Sequence, residues 1–100
     1  MYVSIRRYVG NSTFADELAE RSDEVKAVVA PVQGFNAYYL VRAGDGAASI
    51  TICDDQRGVD ESNRAAADWI KENMPELAAS PPEISAGEVV FSIAPQTAHA

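Results

Sequence analysis

The feature that most constrains the fold is the segment GFNAYYLVRAGDGAASITICDD, which spans residues 34–55. Runs of β-branched and aromatic residues at 35–43 and 47–53 flank a turn of glycine and aspartate, a pattern that predicts a β-hairpin. Alternate side chains of a strand point to opposite faces of a sheet. Large apolar side chains therefore lie on both faces of the first strand, and each face needs a cover.

The remaining sequence predicts two strands and two helices around this hairpin. The predicted elements are a strand at 2–9, a helix at 11–31, a helix at 58–74 and a strand at 83–95. Asp60 is the expected N-cap of the second helix, because aspartate accepts hydrogen bonds from free backbone N–H groups. The order β-α-β-β-α-β predicts an α+β ferredoxin-like sandwich, in which a four-stranded antiparallel sheet carries two helices on one face.

Length and charge limit the class of protein. A chain of 100 residues forms one domain, expected over residues 1–95, with a flexible tail at 96–100. The net charge of −7 disfavours nucleic acids and anionic membranes as partners, since both attract basic surfaces. Cys53 is the only cysteine, so no internal disulfide forms and the reducing cytoplasm is the expected location.

The strand parity assigns side chains to the two faces of the sheet. We expect the more apolar set to face the helices, together with Tyr39; this set is Val3, Ile5, Val9, Ile50 and Ile52. The uncovered face would hold Tyr38, Leu40, Arg42 and Val90. A moderately apolar face with polar groups is typical of a subunit interface, so we predict a homodimer through it. The alternative is a solvated face with a few tolerated aromatic residues.

Three segments carry a family resemblance: VSIRRYVG, VQGFNAYYLV and ASITICDDQRGVDESNRAAADW. They resemble the antibiotic-biosynthesis-monooxygenase-like group of the dimeric α+β barrel superfamily, over residues 2 to about 93. Gly34 and Phe35 match the glycine–aromatic pair that opens the second strand of the family. Asp54 matches the polar strand end, and Trp69 matches a tryptophan that follows small residues. The resemblance implies that two sheets pack face to face in a homodimer, so that the second subunit covers the uncovered face.

The resemblance also implies an activity. Family members include cofactor-free oxygenases of electron-rich aromatic compounds and haem-degrading enzymes, with a pocket between sheet and helices. The haem-degrading version relies on an asparagine, a tryptophan and a histidine. Trp69 matches the tryptophan, but the first strand has no asparagine, and the only histidine is His99, next to the last residue. Haem degradation is therefore not expected.

The candidate ligand-binding residues are Trp69, Tyr39, Ser62, Asn63 and Arg64. Trp69 and Tyr39 offer aromatic walls, while the polar first turn of the second helix offers groups that contact an anionic or quinone-like ligand. Each has an ordinary alternative: core packing for Trp69, a backbone partner for Tyr39, and solvation for the polar turn. Cys53 precedes two acids, which raise the pKa of a thiol and disfavour a nucleophilic role.

The sequence lacks metal-ligand spacings and nucleotide-binding glycine motifs, so no metal and no cofactor is expected. Two classes of function remain open. The first is a cofactor-independent monooxygenase acting on a small aromatic or quinol-like compound. The second is a non-catalytic homodimeric module that binds a small molecule or has a structural role. A polar, convergent pocket favours the first, and a pocket filled by side chains favours the second.

Overall fold

The computed structural model describes residues 1–9, 13–75 and 82–93. The elements in these ranges are β1 (Tyr2–Tyr8), α1 (Phe14–Glu20), α2 (Ser22–Val29), β2 (Phe35–Ala43), β3 (Gly46–Cys53), α3 (Gln56–Asn73) and β4 (Glu83–Glu88). The strands form one antiparallel sheet in the order β2-β3-β1-β4. This is the predicted ferredoxin-like α+β arrangement. The predicted tail at 96–100 lies outside the described residues, and no helix in the described ranges is long and apolar enough to cross a membrane.

The predicted hairpin is present as β2 and β3. Gly44 in its turn has a φ of +57°, a left-handed conformation that glycine adopts without steric cost. The pairing register shifts between Phe35 and Ala37, where Phe35 lies opposite Cys53 and Ala37 lies opposite Ile52. A one-residue slip moves a side chain to the other face, so Phe35 and Ala37 lie on different faces although their spacing predicts the same one.

Three predicted boundaries were wrong. The first predicted helix is two helices, separated at Arg21, whose φ of −108° and ψ of 28° leave the helical region. The last strand ends at Glu88, because Glu88 pairs with Tyr2 and β1 begins there, so residues 89–93 have no further strand to extend along.

The third wrong boundary is the start of α3, which Asp55 caps instead of Asp60. The Asp55 carboxylate accepts a hydrogen bond from the Gly58 N–H at 3.2 Å. Gly58 lies so close to the sheet that an added Cβ would be 2.9 Å from both Cys53 Cβ and the Gln33 carbonyl oxygen. This close approach holds the first turns of α3 against the end of β3.

The two faces of the sheet are the reverse of the prediction. Arg6 is 4% exposed and lies under the helices, whereas Tyr39 is 56% exposed on the opposite face. We call the helix-covered set the helix side: Ser4, Arg6, Tyr8, Tyr38, Leu40, Ser49, Thr51 and Cys53. We call the other set the open face: Val3, Ile5, Ala37, Tyr39, Val41, Ile50 and Ile52. The polar set thus lies inside the molecule and the apolar set outside.

An apolar cluster at one end of the helix side ties the helices to the sheet. The rings of Tyr8 and Phe14 are 4.4 Å apart between centroids and tilted by 46°. Leu18, Ile70 and Met74 complete the buried cluster with the alanines of α1 and β3, and Leu40 packs against it. This cluster fixes α1 and α3 over the end of β1. The buried polar residues in the middle of β1, Ser4 and Arg6, lie next to the cluster.

Candidate functional site

An apolar groove runs between α1, α2 and the edge strand β2. Its volume is about 650 Å³. Leu18, Val25, Val29 and Tyr38 line both this groove and a second, inner cavity of about 20 Å³. The inner cavity lies between the sheet and α3, and Arg6, Ser49 and Trp69 contribute to its lining. The groove and the inner cavity therefore share part of their walls, and the polar groups of the helix side lie at the inner cavity.

Arg6 is the most unusual residue of this site. Its guanidinium Nη1 donates a hydrogen bond to Asn63 Oδ1 at 2.7 Å, while Nε is buried with no hydrogen-bond partner in the described ranges. The ion pairs among the described residues involve other arginines, so Arg6 is buried without a carboxylate. An unpaired buried charge costs several kcal/mol of stability, on the order of 3–5. A buried group that lacks its partner indicates a functional role or a ligand that supplies the partner.

Asn63 holds Arg6 in place. Its Oδ1 accepts hydrogen bonds from Arg6 Nη1 and from Ser4 Oγ, at 2.7 and 2.9 Å. Only the oxygen of an amide can accept, so the two donors fix which way the Asn63 amide points. Asn63 Nδ2 has no partner among the residues that the structure describes. Asn63 does not line the inner cavity, so its contact with the site runs through Arg6.

Three hydroxyl groups surround the same region of the sheet. Ser49 Oγ and Thr51 Oγ1 are buried without a hydrogen-bond partner within the described ranges. Burial raises the pKa of the Tyr38 phenol above its ordinary value, and the nearby positive charge of Arg6 offsets part of this rise. Tyr38 therefore remains a neutral hydroxyl at physiological pH, able to donate a hydrogen bond.

Trp69 forms part of the wall of the inner cavity. It lies on α3, half-buried, and packs against the apolar cluster of Tyr8 and Phe14. The guanidinium carbon of Arg21 is 5.1 Å from the centroid of its ring, within the range of a cation–π contact.

Of the predicted ligand residues, Trp69 lines the inner cavity, Asn63 contacts the site through Arg6, and Tyr39 lines the outer groove. Ser62 is fully buried, and its hydroxyl donates to the Val59 carbonyl at 2.8 Å, so it is engaged within α3. Arg64 is exposed and lines neither the groove nor the inner cavity. The prediction that Tyr39 points toward the helices was wrong: the register of β2 against β3 places it on the open face, opposite Ile50.

The predicted positions of three interface residues were also wrong. Tyr38 and Leu40 lie on the helix side, where they contact the cavity and the apolar cluster. Arg42 lies on the same side at the end of β2 and forms an exposed ion pair with Asp16 of α1. Val90 follows the end of β4 and is 85% exposed. The prediction was wrong because it placed the apolar side of each strand under the helices, whereas the helices of this protein cover the polar side.

Sequence reasoning missed Arg6, Ser49 and Tyr38 as site residues. The signal was present in YVSIRRY, where Ser4 and Arg6 alternate with Val3 and Ile5. A strand with one apolar and one polar face is ordinarily polar outside. Only the position of the helices shows that the polar face is inside.

Cys53 and the acids near it do not form a reactive site. Burial, followed by the charges of Asp54, Asp55 and Glu61, raises the pKa of the Cys53 thiol. A raised pKa lowers the thiolate fraction, which agrees with the expectation that Cys53 is not a nucleophile. Within the described ranges, no group of three or more histidine, cysteine or acidic residues is placed to hold a metal ion.

Comparison with known proteins adds information on the fold. As a sequence, the chain matches no family model and no curated protein. As a structure, it is similar to the haem-degrading protein MhuD of Mycobacterium tuberculosis with two haems in its active site, at 17% identity and a TM-score of 0.66, covering 94% of this chain and 100% of MhuD.

Two further solved structures are similar over almost their whole length. The ActVA-Orf6 monooxygenase of Streptomyces coelicolor, in complex with nanaomycin D, is 16% identical with a TM-score of 0.67, covering 95% of this chain and 92% of that one. A Bordetella bronchiseptica protein assigned to the antibiotic biosynthesis monooxygenases is 13% identical with a TM-score of 0.68, covering 90% and 97%. This chain therefore has the fold of the antibiotic-biosynthesis-monooxygenase-like proteins, as the sequence resemblance implied.

Proposed function

We propose that this protein is a cofactor-independent monooxygenase that acts on a small aromatic or quinol-like compound. One observation carries the proposal: among the described residues the Arg6 guanidinium has no carboxylate partner, and it is buried beside a cavity that shares part of its walls with an apolar groove. An apolar groove suits aromatic rings, and an unpaired cation suits an oxygen that carries negative charge. A phenol or quinol combines both properties.

The site groups have distinct roles in this proposal. Arg6 stabilises the phenolate or enolate form of the ligand, since a neighbouring positive charge lowers the pKa of an acid. Tyr38 donates a hydrogen bond from its neutral hydroxyl. Trp69 forms an aromatic wall, and Asn63 keeps Arg6 in position. The ionised substrate then supplies the electrons that dioxygen needs. For a CH₂ group flanked by aromatic rings, one oxygen atom of O₂ becomes the new carbonyl and the other leaves as water, which balances the reaction.

The comparisons support the class of reaction. The similar structures include a protein assigned to the antibiotic biosynthesis monooxygenases, a monooxygenase in complex with nanaomycin D, and a haem degrader, all on the same fold. Haem degradation remains unexpected for this chain. β1 reads YVSIRRY and contains no asparagine, and the only histidine of the sequence is His99, next to the last residue.

A second candidate is a non-catalytic module that binds a small molecule. The observation that favours it is the size of the inner cavity, about 20 Å³, which holds no more than one water molecule. An aromatic ligand would then occupy the outer groove and approach Arg6 only at the inner end. Binding without turnover is the result that this alternative predicts.

We also propose that the protein is a homodimer through the open face. Val3, Ile5, Ile50 and Ile52 lie side by side on β1 and β3, and β2 adds Tyr39 and Val41. Val90, Phe91 and Ile93 follow β4 and are 75–88% exposed. An apolar area of this extent on a small domain is typical of an interaction surface. A second copy of the same face provides the apolar cover that it needs, as the family resemblance implies.

The experiment combines oxygen uptake with ligand binding. Anthrone- and naphthol-like compounds are screened with an oxygen electrode, and binding is followed by the fluorescence of Trp69, the only tryptophan of the chain. Wild type is compared with Asn63→Ala and with Arg64→Ala, an exposed neighbour outside the site. We expect turnover that Asn63→Ala reduces about 10- to 100-fold, the range for one preorganised electrostatic group, and that Arg64→Ala leaves unchanged. Binding without oxygen uptake would establish the non-catalytic module instead, and neither binding nor uptake would refute both.

A further inference from the structure

Arg21 occupies the junction between α1 and α2, and its side chain reaches α3. Its backbone breaks the helix, and its guanidinium contacts two residues near the end of α3. The guanidinium carbon lies 5.1 Å from the centroid of the Trp69 ring. Its terminal nitrogens also donate to the backbone oxygen and the side-chain oxygen of Asn73, at 3.5 and 3.3 Å. One side chain therefore joins the α1–α2 junction to α3, and these helices enclose the inner cavity together with the sheet.

The Arg21 side chain is itself held in place. Glu24, one turn further along α2, accepts hydrogen bonds from Arg21 Nε and Nη2 at 3.0 and 3.2 Å, a bidentate arrangement that orients the planar guanidinium. Asn73 is also fixed, because its Nδ2 donates to the Trp69 carbonyl at 2.9 Å. Glu24, Arg21, Asn73 and Trp69 thus form one connected network.

We propose that Arg21 is a positioning residue for Trp69 and thereby sets the shape of the ligand site. The inference rests on the proposed function of the cavity. Trp69 lines the inner cavity, whereas Arg21 lines neither this cavity nor the outer groove, so its effect on a ligand passes through the indole. A half-buried indole with no fixed contact moves between rotamers, and each rotamer changes the wall that an aromatic ligand meets.

The chain provides a direct probe of this role, because Trp69 is its only tryptophan. Emission maximum, anisotropy and acrylamide quenching report the mobility and exposure of Trp69 in the free protein. Arg21→Met removes both the positive charge and the planar guanidinium group. Arg21→Lys keeps a positive charge but removes the bidentate contact with Glu24. Arg57→Met is the matched control, since Arg57 is an exposed arginine of the first turn of α3 with no contact to Trp69.

We expect Arg21→Met to raise acrylamide quenching and lower anisotropy while the far-ultraviolet circular dichroism remains that of the wild type. The dissociation constant for 1-naphthol, the probe ligand, is expected to rise roughly 2- to 30-fold, the range that corresponds to one cation–π contact. Arg21→Lys should fall between wild type and Arg21→Met in both measurements, and Arg57→Met should match the wild type.

Unchanged quenching and anisotropy in folded Arg21→Met would overturn the proposal, whatever the ligand result. Altered fluorescence together with unchanged naphthol affinity would also overturn it, because Trp69 would then not shape the site. If the wild type itself does not bind naphthol, the proposed function fails, and the fluorescence of the free protein still decides whether Arg21 positions Trp69. If Arg21→Met does not fold, Arg21→Lys provides the same two comparisons.

Discussion

Arg6 of β1 donates a hydrogen bond to Asn63 of α3 across 2.7 Å, and the two residues are 57 positions apart in the sequence. A neutral amide is an unusual partner for a buried guanidinium, since it orients the charge without neutralising it. A carboxylate at the same place would form a stronger bond but would cancel the charge. The amide thus leaves Arg6 available to an anionic ligand.

The first prediction tests this relationship with Asn63→Asp. We expect the variant to be more stable than the wild type by about 1–3 kcal/mol at pH 7, because the new carboxylate pairs with Arg6 in a buried site. Binding of a naphtholate probe should be lost, because the positive charge is no longer available. Urea denaturation measures the first effect and fluorescence titration the second. Asn63→Ala is the control: it should lower both stability and binding. A stabilised Asn63→Asp protein that still binds the anion would show that Arg6 is not the anion site.

The second prediction concerns Arg6 itself. Replacing an unpaired buried charge with an apolar side chain of similar length removes a desolvation cost, so Arg6→Met should unfold at the same or a higher urea concentration than the wild type. Binding of the anionic probe should nevertheless disappear. Arg7→Met is the matched control, since Arg7 is the next residue, is exposed, and forms only a surface ion pair with Glu83 at 3.6 Å. If Arg6→Met were strongly destabilised, Arg6 would have a structural role in place of a binding one.

The third prediction separates the two faces of the sheet. Ile50→Asp places a charge on the open face, and we expect it to convert a dimer into a folded monomer, because a charge buried in an apolar interface costs about 3 kcal/mol or more. Leu40→Asp places the same charge on the helix side, against the apolar cluster, and should unfold the subunit. Sedimentation velocity gives the association state and circular dichroism the folding. A wild-type monomer at micromolar concentration would contradict the homodimer.

The fourth prediction follows from the raised pKa of Tyr38. The unfolded phenol ionises near pH 10, and the folded phenol ionises at higher pH because burial disfavours the phenolate. The folded protein therefore binds this proton more tightly than the unfolded chain does. The resulting stability is present in full below about pH 10 and is lost as the pH rises from there through the raised folded pKa.

Tyr38→Phe removes this dependence. Denaturation curves collected from pH 8 to pH 11 should show a smaller alkaline loss of stability in Tyr38→Phe than in the wild type. Equal slopes in the wild type and Tyr38→Phe would show that the Tyr38 phenol is not buried in solution.

The sequence alone determined the element order and hence the fold class. The hairpin follows from β-branched runs around a glycine turn, and local propensity acts over a few residues, which a single sequence displays directly. Trp69 and Asn63 could also be selected as candidates, because their residue types and their position on α3 are visible in the sequence.

Only the tertiary structure decided which face of the sheet the helices cover. The alternation of Val3 and Ile5 with Ser4 and Arg6 shows that β1 has an apolar and a polar side, but not which one lies inside. A single subunit would be most stable with the apolar side inside. Here the helices cover Arg6, and α3 brings Asn63 to it from 57 residues away. The hydrophobic preference of the strand alone would leave Arg6 in solvent. Its burial depends on contacts with residues that are distant in the sequence, and the sequence of β1 does not show these contacts.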